Sequence, residues 1–358
     1  MVQMQRRAMS LPPTSQQPKT VAIVGAGLAG AACANACASK GYSVVVYEQG
    51  AAPAAGASGV PIAMFAPSVS ADDAPHSRLL RQGVHLLLAE LKRLSQQGLL
   101  TRDQDWALTG VLERCIRADK KLPSTWLVPQ DAPDLQSRML GKPYSARPTT
   151  LCHSEIWHGM GGWVNPRRLI DAWLAHPKIT LKTNCPIDDV TALVSDVVVV
   201  ASGYQSARVL PELHGRLQTI RGQVEWATGS IDLPFKHAIN GFGHLIQTPD
   251  RWLVGATFQR DELDVAPRAK DVALNFEKLA TLIPELAKPE LAKLQKQATS
   301  WVGIRAAQKN RAPLVERVTG LSHPVVWACT GIGSRGLSLA ALCASRLLAS
   351  IENSLALG

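Results

Sequence analysis

Apolar positions recur along this chain in two distinct rhythms. Residues 21–24 and 44–47 are short apolar runs, and residues 197–200 are four consecutive valines. Runs of this length, closed off by turn residues, predict strands buried on both faces. Residues 221–227, 243–248 and 251–257 instead alternate apolar with polar, which predicts antiparallel strands with one wetter face. Strands are also predicted over 108–116, 178–182, 301–306 and 325–329. The helical period governs 76–97, where Leu80, Val84, Leu87, Leu88, Leu91 and Leu94 share one face. Asn165 caps and Pro166 starts a helix running to 176. Helices are further predicted over 271–282, 289–297 and 337–352, and the chain shows no internal repeat.

The first apolar run enters a glycine turn at Gly25, Gly27 and Gly30, followed by an Ala-rich helical stretch to about Lys40 and a second run ending in Glu48. This strand–turn–helix–strand unit cradles a dinucleotide pyrophosphate. The first glycine permits the tight turn, the second lets the backbone approach phosphate, and the third lets helix and strand pack closely. The helix start adds unpaired N–H groups and a positive dipole end. Glu48 stands where a carboxylate accepts hydrogen bonds from both ribose hydroxyls. A second glycine turn at 331–336 opens the closing helix. Two such turns, far apart in the chain, suit a long cofactor held at both ends. The nucleotide-binding pieces lie at both ends and in the middle, with antiparallel strands between them, so two domains that cross more than once are expected.

Composition narrows the class. The chain has 358 residues, 46% hydrophobic and 18% charged, enough for two domains or one large α/β body. No apolar run reaches the roughly 18 residues of a membrane span. Arg6, Arg7 and Lys19, with no acid among the first 20 residues, read as a disordered basic arm. Seven scattered cysteines without a CxxC pair fit reduced thiols in a cytoplasmic protein. The net charge of +10 admits either a polyanionic partner, nucleic acid above all, or a generic basic enzyme. The densest basic groups are Lys92 with Arg93, residues 114–121, Arg167 with Arg168, and the arm.

These residues resemble the D-amino-acid-oxidase-like FAD oxidoreductases, which include glycine and sarcosine oxidases. The resemblance rests on VGAGLAG, Glu48, GASG at 56–59, VVVVASG, RGQV at 221–224, VGIRAAQKNRAPLV at 302–315 and GSRGL at 333–337. Within that group, DDAPHSRLLRQG, GGWVNPRRL and GSRGLSLAAL make the chain most similar to the flavin half of the bifunctional enzymes of 5-methylaminomethyl-2-thiouridine synthesis in tRNA.

The implied fold is α/β: a Rossmann-like FAD domain over 20–84, 151–218 and 301–358, interleaved with an α+β substrate domain over 85–150 and 219–300, after an arm at 1–19. The implied reaction oxidises a CH–NH bond. Carboxymethyl is removed as glyoxylate from 5-carboxymethylaminomethyl-(2-thio)uridine at the tRNA wobble position, leaving 5-aminomethyl-(2-thio)uridine. FAD accepts the hydride and the amine lone pair assists. Two alternatives stand beside this: a small-molecule glycine, sarcosine or D-amino-acid oxidase, and a non-catalytic flavoprotein that binds RNA. No methyltransferase half is expected in this chain, so methylation would fall to a separate protein.

Expected cofactor contacts are Gly25, Ala26, Gly27, Leu28, Ala29 and Gly30; Glu48 and Gln49; Ala57, Ser58 and Gly59; Val190; Ala201 and Gly203; and Gly331, Ile332, Gly333, Ser334, Arg335, Gly336 and Leu337. FAD is expected to be non-covalent, because the Arg305 region occupies the place of the flavin-linking cysteine of covalent members. Arg305 matches the arginine that pairs with substrate carboxylate. Arg335 suits either the flavin pyrimidine edge or a second carboxylate oxygen. His244 replaces a frequent tyrosine near the substrate, though the same position suits an ordinary half-buried strand histidine. Where the family usually has a polar residue after GASG, commonly Asn, this chain has Val60, and Met64 and Phe65 keep the loop apolar. CHSEIWH at 152–158 lacks a second cluster to complete a zinc site, and no metal is expected. Cys33 and Cys37 suit packing against the sheet. Of Trp157, Trp163 and Trp173, Trp163 is the best candidate for stacking on RNA and Trp173 belongs to the core.

Overall fold

The valine strand Val197–Val200 sits at the centre of a six-stranded sheet. The computed structural model describes residues 20–115, 122–123, 145–147, 154–320 and 324–356. Across the sheet the order is Leu314–Arg317, Val325–Thr330, Val197–Val200, Thr20–Val24, Ser43–Tyr47 and Ile179–Lys182. All neighbours are parallel except the Leu314–Arg317 edge. The four valines are 0–1% exposed, as an unbroken apolar run in a doubly covered sheet requires. From Thr20–Val24 the chain builds first to one side and later to the other, so the strand order reverses beside Gly25. Ligands of open α/β sheets bind at such a switch point.

Helix Leu28–Lys40 is apolar nearly all round because it is covered nearly all round. It ends at Gly41, whose left-handed φ of 111° lets Gly41 and Tyr42 N–H donate to the carbonyls of Ala38 and Cys37. Helices Pro75–Gln96 and Gly336–Ala356 pack beside it in one core. They approach so closely that a Cβ on Gly83 would lie 1.7 Å from the Ser338 carbonyl. Pro75–Gln96 therefore buries its whole leucine face on the nucleotide side, running past the domain boundary expected at residue 84.

The second body is a nine-stranded, mostly antiparallel sheet. Its spine is Leu217–Thr228 paired with Thr299–Gln308, with Ile220 opposite Arg305 and Gly222 opposite Gly303. This pairing extends both strands beyond the lengths that their sequence alternation predicts. Arg251–Gly255, His244–Gln247, Ala238–Asn240, Val111–Cys115 and Ser154–His158 continue the sheet. Ser154–His158 thus pairs with the large sheet, although the expected division placed it in the nucleotide domain. Helices Ala269–Leu282 and Lys288–Gln297 cover one face through Phe276, Leu279, Leu282 and Leu294.

The strand expected over 108–116 starts only at Val111, and a separate short strand precedes the expected range. Trp106–Ala107 joins a small sheet with Ala63–Phe65 and Gly162–Val164, and Val111–Cys115 joins the large one. The break falls at Gly110, whose φ is +75° and where a Cβ would lie 2.1 Å from the Trp157 ring. The helix from Pro166 ends at Leu174, and its Asn165 side chain accepts from Arg168 N–H. The arm and most of the polar stretch to Thr150 lie outside the described residues.

Candidate active site

Both bodies open onto one cavity of about 700 Å³, in the size range of small-molecule and cofactor sites. Its nucleotide end is made of backbone. Gly25 has φ +103°, donates its N–H to the Tyr47 carbonyl at 2.8 Å, and leaves no room for a Cβ, which would sit 2.9 Å from the Ala201 carbonyl. At Gly27 a Cβ would sit 3.0 Å from Ser58 Oγ, and at Gly30 1.8 Å from the Gly25 carbonyl. Each glycine therefore serves a separate close approach. The helix that starts at Leu28 has no acid in its own first turn, so its positive end faces the cavity without an intrahelical counter-charge. Ser58 Oγ accepts from Leu28 N–H at 3.0 Å. Glu48 is 6% exposed and is aimed by two backbone donors, Ala26 N–H and Gly50 N–H, each at 2.9 Å. The second turn has Gly331 at φ +70° and Gly333 at φ +58°, and Thr330 Oγ1 ties it to the Gly203 carbonyl at 2.9 Å. A glycine turn at a helix start, a carboxylate on the cavity wall and a second glycine turn fit an extended dinucleotide such as FAD.

Most of the expected contacts border this cavity: Gly25, Gly27, Leu28, Ala29, Glu48, Gln49, Ala57, Ser58, Ala201, Gly203 and all seven from Gly331 to Leu337. Ala26, Gly30 and Gly59 stand behind the lining. Ala26 orients Glu48, Gly30 receives Gly25, and Gly59 allows the Ala54 carbonyl within 2.4 Å of where its Cβ would be. Val190 does not reach the cavity. Its short turn, capped by Asp189, tucks the side chain into the core with Val198 and Val200, and Ile187 lines the cavity nearby.

The other end is made of side chains from the large sheet. Arg305 projects from Thr299–Gln308, and Gly222 on the facing strand makes room for it: a Cβ there would lie 1.8 Å from Arg305 Nη2. The glycine of RGQV thus clears space for a guanidinium. Among the described residues, Arg305 donates to the Thr257 carbonyl at 3.3 Å and packs 5.7 Å from the Phe258 ring centre. Most of its five donors remain open to an anion. Burial pushes its pKa down to about 10, so it stays charged at neutral pH. Arg335 also lines the cavity, and burial lowers its pKa against the opposing pull of Glu113. His244 lines the same wall, and its pKa is driven down to about 4 by burial, then by the charges of Arg305 and Lys278. It is therefore neutral at pH 7. Val60 and Met64 border the cavity, whereas Phe65 turns into the core.

Several expectations about RNA contacts change. Trp163 is only 2% exposed, because it pairs across from Met64 in the small sheet and packs inward. Trp173 is core, with its Nε1–H donated to Glu90 at 3.0 Å, and Trp157 meets His237 edge-on. Three of the expected basic contacts are engaged by acids: Arg93 by Glu90, Arg114 by Glu155 and Glu285, and Arg168 by Asp105. Two rings that line the cavity are exposed, Phe242 at 46% and Phe258 at 52%. Both lie in turns or strand ends, where hydrophobic period carries no signal.

Cys33 and Cys37 are buried, and Cys33 Sγ lies 3.6 Å from Cys329 Sγ. Burial, then Glu352, raises the Cys37 thiol to about 12. His158 Nε2 lies 2.9 Å from Glu113, while Cys152 and His153 lie outside the described residues. Among the described residues no three metal-ligating side chains cluster, and no helix is long and apolar enough to cross a membrane.

Known proteins agree with this architecture. A protein named tRNA 5-methylaminomethyl-2-thiouridine biosynthesis bifunctional protein MnmC, from Polaromonas naphthalenivorans (strain CJ2), is 33% identical over 95% of this chain. The match takes in 58% of that protein. The namesake from Verminephrobacter eiseniae (strain EF01-2) is 34% identical over 97% of this chain and 63% of its own. The chain thus spans about three-fifths of the relatives it matches. Among solved structures, glycine oxidase from Geobacillus kaustophilus superposes with a TM-score of 0.71 at 20% identity, covering 94% of this chain and 95% of that one. Iminodiacetate oxidase from Chelativorans sp. BNC1 gives 0.70 at 19% identity, covering 93% and 95%. The family model described as "FAD dependent oxidoreductase" (DAO) matches residues 20–350, and the chain belongs to that family of FAD-dependent oxidoreductases.

Proposed function

We propose that this chain oxidises a CH–NH bond in a modified wobble uridine of tRNA, taking 5-carboxymethylaminomethyl-(2-thio)uridine to the 5-aminomethyl form with release of glyoxylate. The observation that carries the reading is Arg305, a half-buried guanidinium with one carbonyl acceptor among the described residues and no carboxylate partner there, at the substrate end of the cavity. A bidentate carboxylate is the ligand it lacks.

The chemistry balances as loss of a hydride and a proton from the N–CH2–COO⁻ unit, then addition of water to the resulting C=N bond. The products are a primary amine and glyoxylate. Bound FAD supplies the two-electron acceptor. Arg305 fixes the carboxylate, which limits where the α-carbon sits. The positive charges of Arg305, Arg335 and Lys278 disfavour protonation of the substrate amine, which keeps its lone pair available. Neutral His244 adds no charge that would oppose this. No further general base is required.

FAD is held non-covalently in this reading. Of the cysteines on the cavity wall, Cys329 is fully buried with its thiol pushed well up by its cysteine neighbour and by burial, and Cys185 donates its backbone N–H to the Glu48 carbonyl at the nucleotide end. In this reading the chain divides by its two sheets, which moves 154–158 and 301–308 of the expected division to the substrate side and 85–96 to the nucleotide side. A tRNA substrate places the enzyme in the cytoplasm, with methylation of its product left to a methyltransferase acting next.

The second reading is a small-molecule amino-acid oxidase, favoured by the ion pairs that occupy Arg93, Arg114 and Arg168. The test is anaerobic flavin bleaching across a salt series, with carboxymethylaminomethyl-containing tRNA against glycine, sarcosine and D-alanine. The tRNA reading expects bleaching by tRNA with an affinity that falls steeply as salt rises. Bleaching by a small amine alone transfers the assignment to the second reading.

A further inference from the structure

Two phenylalanines stand at the rim of the cavity where apolar rings would ordinarily be hidden. Phe242 and Phe258 are about half exposed, and both border the same cavity as Arg305. Register brings them together. His244 pairs opposite Gly255, so the turn carrying Phe242 and the segment carrying Phe258 leave the sheet at one end. Each ring has cations over it: Lys278 lies 5.5 Å from the Phe242 centre, and Arg260 and Arg305 lie 5.8 and 5.7 Å from that of Phe258. Lys278 Nζ also donates to the Ala256 carbonyl at 2.7 Å, which holds this ammonium beside the rim.

We propose that Phe242 and Phe258 form a stacking site for the nucleobase whose side chain is oxidised. The inference rests on the wobble-uridine reading above and names the surface that would recognise the base. Its physical ground is reach. Only a methylene, a nitrogen and a second methylene separate the uracil ring from the carboxylate. A carboxylate paired with Arg305 therefore brings the ring to the rim, beside the phenylalanine that Arg305 already touches. A flat, unstacked pyrimidine finds there an aromatic face flanked by positive charge, the combination that single-stranded nucleic acid sites use. A protein partner covering these rings would leave the cavity mouth closed to the substrate.

The test compares FAD-loaded wild type with Phe242→Leu, Phe258→Leu and the two Phe→Tyr variants. The probe is an anticodon stem-loop RNA carrying the carboxymethylaminomethyl group. Leucine keeps apolar bulk and removes the π face, so each Leu variant is expected to weaken RNA affinity about fivefold to hundredfold, while Tyr stays within about threefold of wild type. Phe242→Trp gives a direct readout, with its added indole emission quenched when RNA binds. Leu variants that hold FAD and bind the RNA as tightly as wild type overturn the stacking site. If wild type itself neither binds this RNA nor is bleached by it, the wobble-uridine reading has failed, and that is visible before any variant is compared.

Discussion

The two ends of the cavity solve their binding problems with different materials. The nucleotide end is backbone: three glycines at separate close approaches, helix N–H groups, and one carboxylate held by two backbone donors. The substrate end is side chain: Arg305, His244 and two phenylalanines delivered from distant parts of a large sheet, with Arg335 from the second glycine turn. Backbone cradles need particular residues at fixed spacing, because a Cβ in the wrong place cannot be relieved. Side-chain sites tolerate any spacing that the fold can bring together. The difference implies that damage at one end should spare the other, and each experiment below probes that separation.

The largest effect is expected at the nucleotide end. Gly30→Ala places a methyl 1.8 Å from the Gly25 carbonyl and forces helix and turn apart. FAD affinity should fall by about a hundredfold or more, since this contact sets the whole cradle. Protein purified as yellow holoenzyme with wild-type flavin content would break the comparison at its root.

At the substrate end, Arg305→Ala should keep FAD and slow anaerobic flavin reduction by about a hundredfold, because a drift of about 1 Å at the reacting carbon suffices for that. Gly222→Ala should act in the same direction by displacing the guanidinium, and stopped-flow bleaching reads both. In the wild type, the anchor should weaken as pH rises through about 10, where Arg305 begins to lose its charge. A wild-type reduction rate in Arg305→Ala would make the arginine structural.

Glu48→Gln is expected to lower FAD affinity roughly ten- to a hundredfold, the worth of the charge-assisted bond proposed between Glu48 and ribose, about 1.5–3 kcal/mol. Once the variant is saturated with FAD, substrate-dependent bleaching should match wild type. Titration with FAD that returns the wild-type affinity would remove Glu48 from the ribose site.

The smallest effect is in stability. The folded His244 pKa lies near 4, below the 6.5 of the free side chain. Between those values the unfolded chain binds the proton and the folded chain does not. Stability should therefore fall as pH drops from 6.5 toward 4, by about 1–3 kcal/mol, and be unaffected by this group above 6.5. Denaturation midpoints of wild type and His244→Gln should converge at pH 7.5 and separate at low pH. Parallel curves across the whole range would show His244 to be already solvated.

The sequence by itself determined the nucleotide end. Gly25, Gly27, Gly30 and Glu48 form a local unit in which turn, helix and acid lie within one stretch of chain, so spacing alone encodes the geometry. It also determined the buried valine strand and the leucine face of Pro75–Gln96, because hydrophobic period reports burial directly. Tertiary structure decided the rest. Val190 faces the core instead of the cavity from a short turn capped by Asp189, and Trp163 is buried because its strand, the middle one of a three-stranded sheet, turns it inward. Arg114 and Arg168 read as free charge until their acids arrive from other elements, whereas Glu90, which engages Arg93, lies one turn away on the same helix. Phe242 and Phe258 meet at one rim only because His244 and Gly255 are paired in register, a contact between strands that no local pattern specifies. Local backbone rules are written in neighbouring residues, whereas the meeting of distant side chains is fixed only when strands choose their partners.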